Sequence, residues 1–343
     1  MIGDGTAWPA AATARLARVR PKQTVQRYDK WVAHWLTWCA EQRFDVLSYS
    51  LGKWHLFAGW LESKTEDRDL NQVRSALNRL FDDNQQGRPF VGADVKAVIV
   101  DWAATKDAEK RARGEEVGLN RVPMNEAAVR QVFEIGLRAS GLSLGKAAIL
   151  ITNMLSWARA ASMAGLREGD AAFDRHGTFV VLLRFVKLRK EFVDNPGEIR
   201  VLPPTEQQRA EAARRGRRHY RDVAFSILRR ANMFCPGWQT LVADRCTPSE
   251  RGGDVAAKLV TSWMREFCGA DVMNVADGQT VSAHSIREMA AVTNYQSGGS
   301  EAAGCQRGFW KAPTTMWTNY VKPYLHWPRS EVLAELYDDI PRK

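Results

Sequence analysis

The chain has 343 residues, 45% hydrophobic and 26% charged, which excludes a disordered or fibrous polymer and favours two domains over one. Lysine and arginine number 49 against 39 acidic residues, a formal charge of +10 that suits a partner rich in phosphate. No apolar stretch reaches the length of a membrane span, Met1 to Arg20 lacks a leader pattern, and the five cysteines (Cys39, Cys235, Cys246, Cys268, Cys305) contain no CxxC pair. An intracellular protein with reduced thiols and no membrane association is therefore expected.

Residues 1–23 are rich in Ala and Arg without a period and are expected to form a basic flexible arm. From Thr24 the apolar residues Val25, Tyr28, Trp31, Val32, Trp35, Leu36 and Cys39 recur at three- and four-residue steps, so a helix with one apolar face is predicted. Trp54, Phe57, Ala58 and Leu61 repeat the period in a second helix. A third is predicted over Asp69 to Phe81 and a fourth over Ala93 to Ala104. The span 24–105 thus reads as a small helical domain. Arg74, Asn78 and Arg79 lie on the polar side of its third helix; they are candidate groove-facing residues, with a solvated face as the alternative. The tryptophans at helical spacing are expected in the core.

Residues 106–121 lose apolar periodicity while carrying Lys106, Lys110, Arg111, Arg113, Gly114 and Gly118. They read as an exposed basic linker, with Arg111 and Arg113 as candidate DNA contacts. The second domain, 122–343, opens with a helix at Met124-Asn125-Glu126. A longer, strongly apolar and buried helix is predicted over Lys146 to Ala164. Thr178 to Val186 is β-branched and aromatic, the clearest strand, and Gly197 to Leu202 is its predicted partner. The fold class expected is mostly α with a small antiparallel β-sheet in the C-terminal domain. The arginines at 214, 215, 217, 218 and 221 read as a solvated face, with phosphate contact as the alternative.

Chemistry concentrates towards the C-terminus. In Ala283-His284-Ser285-Ile286-Arg287 the His and Arg are three apart and project from one side of a helix. Both reach one phosphate from there, Arg with a bidentate fork and His as a donor or proton carrier. Gly308-Phe309-Trp310-Lys311 and then Thr318-Asn319-Tyr320-Val321 follow. With these residues in this order and spacing, the sequence resembles the catalytic domain of tyrosine recombinases, the phage-integrase family. Trp157-Ala158-Arg159, followed by Gly165-Leu166 and Asp170, resembles the family's upstream arginine element. Ser162 stands where the family usually has an acidic residue, so the usual buttress of that arginine is missing or replaced.

The resemblance implies a two-domain C-shaped clamp on double-stranded DNA, with 24–105 as core-binding domain and 122–343 as catalytic domain. It implies site-specific recombination or integration, as in mobile elements, by a homotetramer on paired sites through a 3′-phosphotyrosyl intermediate. The catalytic set it implies is Arg159, Lys190, His284, Arg287, Trp310 and Tyr320, with Tyr320 as nucleophile and Lys190, or Lys187, as the hairpin lysine. Tyr324 is the rival nucleophile. No metal or other cofactor is implied. A related telomere resolvase or type IB topoisomerase, or a DNA-binding protein that keeps the fold with weak or no catalysis, are the alternatives. Ser330 is a predicted cap for a final helix with Val332, Leu333 and Leu336 on one stripe. In relatives such a helix docks on the neighbouring protomer; folding back on its own domain is the alternative.

Overall fold

A computed structural model describes residues 22–64, 69–112, 122–184, 196–246, 254–269, 272, 281–310 and 312–342. The chain divides into two compact units, Met1–Val117 and Gly118–Lys343.

In the first unit, helices α1 (Lys22–Gln42), α2 (Leu51–Lys64), α3 (Leu70–Asp83) and α4 (Ala93–Ala112) gather aromatic side chains into one core. Trp31, Trp35, Trp38, Trp54, Phe57, Phe81 and Phe90 are all buried, with Phe57 edge-on to Trp35 at 4.9 Å and Phe90 edge-on to Trp54 at 5.4 Å. The tryptophans are core, as their spacing implied. Asp69 caps α3 by accepting from the Asn71 and Gln72 backbone N–H groups. The fourth helix runs past its expected end at Ala104 to Ala112, into the stretch read as linker. The reason is local: Ala104, Ala108, Glu109 and Ala112 are strong helix formers and are exposed, so they need no apolar face.

The second unit is built on α5 (Glu126–Arg138) and α6 (Gly141–Ser156), the latter buried along nearly its whole length. The single helix expected over Lys146 to Ala164 is broken. Trp157 turns left-handed at φ 54°, Arg159 is extended, and a short α7 (Ala160–Met163) follows. The strands β1 (Ala171–Phe173), β2 (Phe179–Leu183) and β3 (Gly197–Val201) form an antiparallel sheet in chain order, with Val181 facing both Ala171 and Ile199 across the ladders. β2 and β3 alternate buried and less buried residues, so one face packs on the core. β1 went unpredicted because a three-residue strand is too short to show a period. Then come α8 (Glu206–Arg214), α9 (Tyr220–Phe234), α10 (Asp254–Phe267), α11 (Ala283–Gln296), α12 (Glu301–Arg307), α13 (Pro313–Met316), a π-turn at Trp317–Val321 and α14 (Glu331–Ala334).

The C-terminal segment folds back on its own unit. Val332, Leu333, Leu336, Tyr337 and Ile340 all enter the core. Around them Arg217 grips Glu335 with two hydrogen bonds of 2.7 and 2.6 Å, Arg307 grips Asp339 with bonds of 3.0 and 2.6 Å, and the buried Arg221 pairs with Asp338 and Asp339. Arg214, Arg215 and Arg218 are exposed, as a solvated face requires, whereas Arg217 and Arg221 are drawn inward by the tail's acids, which corrects that reading for these two. The tail packs in cis because its apolar stripe and its acids meet a complementary surface. All five cysteines are free and buried. Among the described residues no helix is long and apolar enough to cross a membrane.

Candidate active site

Ser282 caps α11, its hydroxyl accepting from the His284 backbone N–H at 3.2 Å. That fixes His284 in the first turn and Arg287 one turn on. Arg287 is 1% exposed, and its guanidinium donates to the carbonyls of Trp157 and Gly308, the second at 2.6 Å. It also stacks over the Trp310 ring with 4.0 Å to the centroid and lies 5.4 Å from the Tyr320 ring centre. Burial and the nearby charge of Arg159 push the Arg287 pKa down to about 10, while Tyr320 acts in the opposite sense. Arg287 therefore stays cationic at neutral pH.

Trp310 owes its place to two backbone features. Phe309 is left-handed at φ 49°, and Gly308 lies against the indole so closely that a Cβ there would sit 2.0 Å from the ring. The Trp310 indole N–H is buried with no acceptor among the described residues. Tyr320, on the π-turn, is 8% exposed, and its ring is edge-on to Trp310 at 5.0 Å. Its hydroxyl lies 3.2 Å from His284 Nε2, and the two rings stack at 5.9 Å. Tyr324 is buried against Trp327 instead.

The structure thus brings together His284, Arg287, Trp310 and Tyr320 through direct contacts, while Arg159 follows two residues after Trp157, whose carbonyl Arg287 grips. Lys190, Lys187, Arg113 and the Arg111 side chain lie outside the described residues. Ser162 is buried, and its backbone N–H donates to the Arg159 carbonyl at 2.7 Å. Asp170 accepts a bidentate pair from Arg184, both bonds 2.8 Å, and fixes the entry to the sheet. In the first unit the groove-facing expectation for Asn78 is corrected. Its amide donates to the Phe90 carbonyl at 3.0 Å and accepts from the Phe90 N–H at 2.8 Å, so both ends hold the turn before α4. Arg79 pairs with Asp83 at 3.1 Å and Arg74 is half-buried.

The sequence reading quoted Trp157 and Gly308 within its motifs but gave neither a role in this site. A left-handed tryptophan carries no sequence signal, whereas the glycine two residues before Trp310 is visible once the ring is known to need room.

No protein-family model matches the chain, and no curated protein matches it in sequence. Its fold is that of the tyrosine recombinases. It is similar to a lambda integrase dimer bound to a COC′ core site (TM-score 0.50, 9% identity, covering 94% of this chain and 96% of that one). It is equally similar to a lambda integrase tetramer bound to a Holliday junction (TM-score 0.50, 10% identity, 94% of this chain and 78% of that one). At these identities the likeness is one of fold.

Proposed function

We propose that this protein is a site-specific recombinase that breaks and rejoins duplex DNA through Tyr320. The observation that carries the reading is the Tyr320 hydroxyl, 3.2 Å from His284 Nε2 and flanked by Arg287 and Trp310. A phenol attacking phosphorus needs its proton removed and the developing charge on the non-bridging oxygens stabilised. Here His284 accepts the phenolic proton, Arg159 and Arg287 bind the non-bridging oxygens, and the unpartnered Trp310 indole N–H supplies a further donor. The Tyr320 oxygen bonds to phosphorus as the bond to the 5′ oxygen breaks, which leaves a 3′-phosphotyrosyl link and a 5′-hydroxyl. Lys190 is the proposed source of the leaving oxygen's proton. The reverse attack by a 5′-hydroxyl from another strand rejoins the DNA. The lambda integrase structures bound to a core site and to a Holliday junction support duplex DNA as substrate and a tetramer on paired sites as the working assembly.

The test is to incubate the full chain with nicked duplexes tiled across the DNA flanking its own gene and to look for a denaturant-stable protein–DNA adduct. The expected adduct maps to Tyr320 and disappears in Tyr320→Phe while duplex binding persists. Tight binding without an adduct on any duplex would instead favour a DNA-binding protein that retains the fold, and relaxation of supercoiled DNA without strand exchange would favour a topoisomerase.

A further inference from the structure

The helix α6 ends where the sequence offers no reason for it to end. Trp157 stands in the left-handed region, φ 54° and ψ 16°, which strains any residue with a Cβ. The surroundings over-determine that strained turn. The indole is fully buried, edge-on to Trp310 at 5.9 Å and to Tyr337 of the C-terminal segment at 5.3 Å. Tyr337 is itself tied down, its hydroxyl donating to the Met154 carbonyl at 3.3 Å. Gly304 leaves room for the ring, since a Cβ there would lie 3.1 Å from it. Asn153 Nδ2 donates to the Ala158 carbonyl at 2.7 Å and pins the next peptide.

Three parts of the active site depend on this residue. Its carbonyl accepts from Arg287, its ring packs on Trp310, and the turn it makes directs the chain so that Arg159 emerges two residues later. We propose that Trp157 is a positioning residue that orients Arg287 through its carbonyl and directs Arg159 out of the end of α6, its strained turn locked by Tyr337, Gly304 and Asn153. Arg159 and Arg287 carry like charges and repel, so a fixed backbone turn at Trp157 opposes their drift when no anion bridges them. The inference rests on the strand-cleaving reading and deepens it.

The test compares the full chain with Trp157→Gly, which keeps the left-handed turn and removes the ring, and Trp157→Phe, which keeps a ring. Three quantities are measured: the adduct-forming rate on the nicked duplex identified above, the affinity for that duplex, and the quenching of intrinsic fluorescence by orthovanadate, an oxyanion that fits between two guanidiniums. A misplacement of about 1 Å costs on the order of 100-fold in rate, so Trp157→Gly should cleave about 100-fold more slowly and bind duplex within about threefold of the parent. Orthovanadate should bind it more weakly, and Trp157→Phe should recover most of both. Where Trp157→Gly fails to fold, Trp157→Leu, which keeps apolar volume without a ring, takes its place with the same expected loss. Parental cleavage and orthovanadate affinity in the Gly or Leu variant overturn the proposal, as does a folded Phe variant no better than either. If the parent forms no adduct yet binds orthovanadate, and the Gly or Leu variant binds it less well, the cleavage reading falls and the positioning role stands. If the parent forms adducts and every Trp157 variant matches it, the reverse holds. If the parent neither forms an adduct nor binds orthovanadate, both fall.

Discussion

Removing residues 330–343 tests whether the C-terminal segment belongs to the fold of its own unit. The deletion takes away Val332, Leu333, Leu336, Tyr337 and Ile340, all between 0% and 8% exposed. At about 1.5–3 kcal/mol for each buried large apolar side chain, their burial contributes roughly 8–15 kcal/mol. That matches the whole stability of an ordinary domain, about 5–15 kcal/mol. The deletion also strips Asp338 and Asp339 from Arg221, whose side chain is 1% exposed, and an orphaned buried charge costs a further 3–5 kcal/mol or so. The truncated chain is therefore expected to lose the cooperative melt of its second unit, followed by circular dichroism and calorimetry, and with it any DNA cleavage. A milder version is Leu336→Ala, which should cost about 2–5 kcal/mol because the side chain is fully buried. A truncated protein that melts at the parental temperature, and has lost only self-association on paired DNA sites, would refute the reasoning and place the segment on a neighbouring protomer.

Two other expectations concern salt and acid. Because the proposed grip on DNA is made by cations on phosphates, duplex affinity should fall steeply between low and physiological salt and ignore magnesium; a flat salt titration would contradict it. Burial alone would raise the Glu335 pKa, but its Arg217 pair and the Tyr220 N–H outweigh that and hold it below the ordinary 4.5. A carboxylate depressed in this way stabilises the fold above its unfolded pKa, and the contribution is lost as pH falls through the folded value. Glu335→Gln should accordingly flatten the drop in melting temperature below about pH 4.5, and an unchanged acid slope in that variant would remove Glu335 from the account.

The helices of the first unit were legible because a period of three to four residues puts Trp31, Trp35, Val73 and Leu77 on faces that must be buried. Their ends were less so. α4 continues to Ala112 on helix propensity alone, which leaves no apolar pattern to read. The stripe at Val332, Leu333 and Leu336 was equally visible, but an apolar stripe does not say which surface covers it. The deciding information was charge complementarity over a long sequence separation: Glu331, Glu335, Asp338 and Asp339 against Arg215, Arg217, Arg221 and Arg307. No local period carries that.

The candidate site shows the same division between side-chain identity and what holds it. His284 and Arg287 could be placed on one phosphate from their spacing, and Trp310 and Tyr320 from their order after them. The partners of Arg287 could not be anticipated, because they are backbone carbonyls of Trp157 and Gly308, and a carbonyl has no letter in the sequence. The choice of partner has a chemical consequence. A carboxylate would hold a guanidinium just as firmly, but it would also neutralise it and compete with an incoming anion. Carbonyl dipoles and the face of Trp310 orient Arg287 while leaving its full positive charge to be met by whatever binds. Ser162, in place of the acid expected beside Arg159, acts in the same direction, since a hydroxyl side chain brings no negative charge to that turn. A cation positioned by dipoles and a ring makes a site whose electrostatics are completed by an anion, which on the proposed reading is the phosphodiester beside the Tyr320 hydroxyl.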